Sequence, residues 1–125
     1  MSNETIKATA DQLVAHCRAG TTHQGLKDLY DPAAVSVEAV DTDGSGRETH
    51  GVAGIEGKHD WWISAMEVHS SSAEGPYLNG DRFSVIFEFD ATEKATGKRF
   101  QMKEVGLYTV NPAGKITREE FFYAI

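Results

Sequence analysis

Residues 82–92 read Arg-Phe-Ser-Val-Ile-Phe-Glu-Phe-Asp-Ala-Thr, and Phe83, Val85, Phe87 and Phe89 fall on every second place. A side-chain period of two is the signature of a strand, and it sends all four to one face. Such a face is too apolar to leave in water. The chain must therefore build a sheet and supply something to cover one side of it.

The cover is found upstream. Ile6, Ala10, Leu13, Val14 and Cys17 recur at helical spacing, with Asn3 able to cap the start and Gly20 the end. A shorter helix carries Leu26, Leu29 and Tyr30 and is expected to stop at Asp31-Pro32. Val35 to Val40 alternates as a strand, and Val52, Ile55, His59, Trp62 and Met66 predict a third helix. Further strands are expected over residues 67–77, 82–92, 99–110 and 115–125. The order is α+β, with helices against one face of a curved antiparallel sheet and a single domain over residues 1–125.

Between Val40 and Glu48 the chain reads Asp41-Thr42-Asp43-Gly44-Ser45-Gly46-Arg47, which begins like an EF-hand calcium loop. That loop needs a bidentate Glu at its twelfth position and flanking helices. Here the twelfth residue is Val52 and a strand precedes, so the stretch reads as a Gly-rich hairpin turn, and no metal site is expected. His16, His23, His50 and His59 are scattered and suggest no metal triad.

A net charge of −7 with no Lys/Arg cluster argues against nucleic acid. No apolar run approaches a membrane span and the N-terminus lacks a signal-peptide pattern, so a cytoplasmic protein is expected. Cys17, the lone cysteine, reads as a buried small hydrophobe.

Turn positions set an approximate register. Phe89 is expected beside His69 and Met102, and Phe87 beside Ser71 and Glu104. Glu104 then faces Phe121, Tyr108 lies near Thr117, and Gly106 near Glu119. One face collects Phe83, Val85, Phe87, Phe89, Met102, Tyr108, Phe121 and Tyr123, together with His69, Glu104 and Glu119. A carboxyl group among aromatics is costly unless paired, hydrogen-bonded or protonated, which singles out Glu104. The opposite face carries Ile86, Val105, Leu107, Ile116 and Phe122, with Glu88 opposite Lys103; Glu38 and Glu88 are read as outward-facing. Nothing in the chain remains to cover that apolar row, so a homodimer through the outer face is expected.

These features resemble the SnoaL-like branch of the nuclear transport factor 2-like superfamily. The likeness rests on Leu29-Tyr30-Asp31-Pro32 leading into Val35-Ser36-Val37-Glu38, on Val68-His69-Ser70, and on Gly80-Asp81-Arg82-Phe83. Glu104 to Val110 and the ending Gly114-Lys115-Ile116 to Tyr123 carry the rest. The resemblance implies a cone-shaped α+β barrel, a curved mixed or antiparallel sheet around three helices with a pocket at the wide end. It implies an isomerase- or cyclase-type activity without a cofactor, in which a base removes a proton beside a carbonyl and donors hold the enolate. Glu104 and His69 would be the base candidates. Tyr30 and Tyr108 would be donors, Trp61, Trp62, Phe87 and Phe121 walls for a small apolar ligand, and Glu119 a further ligand contact. Where cyclase-like members place an Asp or a His-Asp pair on the last strand, this chain has Glu119, Phe121 and Tyr123. The alternative is a ligand-binding or dimerisation module without catalysis.

Overall fold

The computed structural model describes residues 3–41 and 43–124. Three helices, α1 (Asn3–Ala19), α2 (Thr22–Leu29) and α3 (Val52–Ala65), accompany six strands. These are β1 (Tyr30–Val37), β2 (Glu48–His50), β3 (Met66–Asn79), β4 (Arg82–Glu93), β5 (Lys98–Val110) and β6 (Ile116–Phe122). The strands form one open sheet in the order β2-β1-β6-β5-β4-β3. Only β1 and β6 run parallel, so the sheet is mixed.

Helix α1 buries Ile6, Thr9, Ala10, Leu13 and Val14, a stripe at helical spacing, and ends at Gly20 with φ 72°. Helix α2 stops at Leu29, ahead of the expected Asp31-Pro32 stop. The strand begins at Tyr30, which is extended (φ −99°, ψ 141°), as a residue so close to a proline favours. The core lies between these helices and the aromatic face, with Phe83, Val85 and Ile116 fully buried.

The loop after β1 folds onto itself. The Asp41 carboxylate accepts the amides of Gly44 (2.8 Å) and Gly46 (3.1 Å), and Asp43 accepts that of Ser45 (2.9 Å). These are Asx-type turn bonds, and the chain returns as β2 with Glu48 opposite Val37. Thr42, and the expected strand end at Ile125, lie outside the described residues.

Phe87 pairs with Glu104 and Phe89 with Met102, as the turn positions predict. The outer registers differ by two. Phe89 faces Ser71 and Phe87 faces Ala73; Tyr108 faces Glu119 and Gly106 faces Phe121. A shift of two preserves the face, but a one-residue bulge reverses it. The irregularity between Val68 and Ser70 leaves His69 exposed, so it does not join the aromatic face. A second, between Thr109 and Val110, pairs Val110 with Ile116, and Ile116 is fully buried. Ile116 therefore belongs to the core and not to the outer row. Ile86, Val105 and Leu107 are half-buried, and Phe122 is 51% exposed.

Candidate functional site

Strand pairing stacks the interior side chains in rows. Phe83, Tyr108, Glu119 and Ser36 form one row across β4, β5, β6 and β1. Val85, Gly106 and Phe121 form the next, and Phe87 with Glu104 the one after.

Glu119, only 2% exposed, is the deepest charged group. Tyr30 donates its hydroxyl to Glu119 Oε2 at 2.5 Å, while Oε1 has no partner among the described residues. Burial raises the carboxyl's pKa, and the hydroxyls of Tyr30 and Ser36 partly oppose it. Burial, and then the charge of Glu119, hold the phenols of Tyr30 and Tyr108 well above their ordinary range, so both remain protonated donors. Tyr108 stacks on Phe83 with centroids 4.9 Å apart and meets Phe121 edge-on at 6.4 Å. Gly106 makes room for them. A Cβ there would lie 2.9 Å from the Tyr108 ring and 3.0 Å from that of Phe87.

Two rows further along the strands Glu104 is half-buried and makes no side-chain hydrogen bond among the described residues. Burial, and then the charge of Glu38, push its pKa up to about 7; Lys58 opposes them. Glu38 turns inward, contrary to the outward placement expected of it. It accepts the Tyr123 hydroxyl at 2.9 Å and the Lys58 ammonium at 2.5 Å. Lys58 also donates to Ser36 Oγ at 2.7 Å and lies 5.6 Å from the Phe121 ring centroid. Phe89, Phe121 and Cys17 pack half-buried against the core. Burial and then Glu119 raise the Cys17 thiol to about 12, which keeps it neutral.

Of the residues singled out from sequence, Tyr30, Phe87, Glu104, Tyr108, Glu119 and Phe121 come together on this side of the sheet. Trp62 joins them at the rim, edge-on to Phe89 (5.8 Å) and Phe100 (6.3 Å). Trp61 does not: it is 62% exposed. Nor does His69, whose Nε2 meets Thr92 Oγ1 at 2.7 Å on the exposed side. Sequence reasoning missed Lys58, read Glu38 as facing outward, and placed Tyr123 on this face without giving it a role. The available signal was a lysine three residues after Ile55 and four before Trp62, on the stripe that packs inward.

A cleft of about 470 Å³ is lined mainly by Val37, Arg118, Glu120 and Phe122, which alternate with the inward Ser36, Glu119 and Phe121, and by Arg47; it reaches Phe121 and Tyr123 at its edge. A second hollow of about 460 Å³ lies over β3, β4 and β5 beside Phe89 and Met102. Glu104 lines neither. Among the described residues no group of three His, Cys, Asp or Glu side chains could hold a metal ion, and no helix is long and apolar enough to cross a membrane.

Three helices and a mixed six-stranded sheet give this chain the fold of nuclear transport factor 2-like proteins. An NTF2-like protein of unknown function from Burkholderia pseudomallei superposes with a TM-score of 0.73 at 14% identity, over 99% of this chain and 92% of the other. The chain belongs to the SnoaL-like domain family, which it matches over residues 2–123. A candidate SnoaL-like polyketide cyclase from Mesorhizobium loti is 39% identical and superposes with a TM-score of 0.88, over 98% of this chain and 100% of the other. A Mycobacterium tuberculosis protein in complex with estradiol-17β-hemisuccinate superposes at 0.70 with 20% identity, over 93% and 92%. Comparison with curated proteins gives no match.

Proposed function

We propose that this chain binds a flat, largely apolar molecule bearing a carbonyl group and moves a proton on it. The observation that carries this reading is Glu104, a half-buried carboxyl group without a hydrogen-bond partner, beside Phe87 and poised to ionise near pH 7. A base tuned to the working pH is the requirement of general base catalysis. The ionised carboxylate takes a proton from the carbon beside the carbonyl, and the electron pair moves onto oxygen as an enolate. Tyr108, whose hydroxyl has no side-chain partner among the described residues, is the donor free to meet that oxygen; Tyr30 is committed to Glu119. Return of the proton to a different carbon completes an isomerisation. The tuberculosis protein is in complex with estradiol-17β-hemisuccinate, whose fused ring system supports the choice of a flat ligand.

The test is proton–deuterium exchange beside the carbonyl in a panel of flat cyclic ketones, followed by NMR in D2O. Exchange faster than in buffer is expected, rising with pH through about 7 as Glu104 ionises. Exchange at the buffer rate for every ketone that quenches tryptophan fluorescence would defeat the catalytic reading and leave binding alone.

The outer face favours a second reading, association of two copies, because Ile86, Val105, Leu107 and exposed Phe122 form an uncovered apolar row. Sedimentation is expected to give a dimer at micromolar concentration and a monomer for Phe122→Lys. A monomeric wild-type chain would remove this reading.

A further inference from the structure

We infer that Lys58 is the cation that meets the negative charge developing on the substrate oxygen, held for that task by Ser36 and Glu38. The inference deepens the proton-transfer reading and rests on it. It assigns a role to a residue that the base and the hydroxyl donor leave unexplained.

An ammonium group has three hydrogens to donate. Ser36 Oγ at 2.7 Å and Glu38 Oε1 at 2.5 Å take two, and nothing among the described residues takes the third. Both partners are themselves fixed. Ser36 is fully buried, and the other oxygen of Glu38 accepts the Tyr123 hydroxyl at 2.9 Å. The cradle thus clamps Nζ 5.6 Å from the centre of the Phe121 ring, on the row next to Glu104. A lysine that only balanced Glu38 could do so from the surface. This one is 27% exposed, and it leaves α3 between buried Ile55 and half-buried Trp62, where an apolar residue would pack as well. Its charge opposes the raised pKa of both Glu104 and Glu119.

The chemistry this site recognises is an enolate, or a phenolate that imitates one. In the proposed step the C–H electron pair becomes the new C=C bond, the carbonyl π pair settles on oxygen, and the proton goes to Glu104. The third Nζ hydrogen then donates to that oxygen without leaving nitrogen.

A nitronaphthol that ionises near neutral pH and changes colour on ionising serves as probe. Wild-type protein is expected to bind the coloured anion, Lys58→Met to bind it at least tenfold more weakly, and Lys58→Arg to recover most of the loss. Removal of an oxyanion donor costs about 100- to 1,000-fold in rate, so exchange with an active ketone should fall by that factor with KM little changed. Lys58→Met strands the Glu38 carboxylate. Should that variant fail to fold, the double variant Glu38→Gln/Lys58→Met carries the same comparison. Equal affinity for the anion in wild-type and Lys58→Met protein would overturn the assignment, even if Glu104 proves to be the base. A tenfold difference without exchange of any ketone would uphold the oxyanion site and defeat the proton-transfer reading instead.

Discussion

Truncation of Phe83 to alanine is expected to lower unfolding free energy by about 3–5 kcal/mol, the range for a phenylalanine lost from a packed core. The residue is fully buried on the aromatic face. Its ring stacks nearly parallel on Tyr108, with 10° between planes, so the void would also free the phenol proposed as donor. For a domain of this size the loss corresponds to a fall of roughly 10–25 °C in Tm. Thermal unfolding followed by circular dichroism checks it, and a change under about 1 kcal/mol would mean that the helices do not close over this part of the sheet.

Glu104→Gln is expected to move activity and stability in opposite directions. Without a base, ketone exchange should fall by about 100- to 10,000-fold, the contribution typical of general base catalysis. Stability should rise above pH 7. The carboxyl group's pKa is raised from 4.5 to about 7 on folding, so the folded chain holds its proton more tightly than the unfolded one. The contribution of this group is therefore fully present below pH 4.5 and is lost between 4.5 and about 7 as it is forced to ionise in place. Glutamine has no charge to bury, so the variant escapes that decline. The gain at pH 8 is on the order of 2 kcal/mol, allowing for the group's partial exposure. Denaturant unfolding at pH 5 and pH 8 measures it. Equal stability of the two proteins at pH 8 would show that Glu104 is solvated and has no raised pKa. Groups that give up stability in exchange for function are expected at active sites.

The face of each long strand was legible because alternation in residues 82–92 leaves one arrangement, and the Phe87–Glu104 pair followed from the turn between β4 and β5. The helices were legible for the same reason, with Ile6, Leu13 and Val14 marking one stripe. Irregularities in pairing have no such periodic signal. One of them turned His69 outward, and another drew Ile116 into the core. The site was half legible. A buried carboxyl among aromatics announces itself by its cost, which pointed to Glu104 and Glu119. The Ser36–Lys58–Glu38–Tyr123 chain joins side chains from β1, α3 and the end of the sequence, at separations of up to 85 residues. No local pattern encodes a meeting of that kind.

The pairing irregularities on β3 have a further consequence. That strand closes one side of the sheet, with β4 as its sole strand neighbour, and at 14 residues it is the longest of the six. A straight border strand offers its free backbone groups to any passing chain. Here the ladder is interrupted near both ends, between Val68 and Ser70 and between Glu74 and Tyr77, and Arg18 occupies the Ala73 carbonyl through two guanidinium N–H groups at 2.9 and 3.1 Å. The distortions that hide the register from sequence thus make this margin a poor template for a further strand.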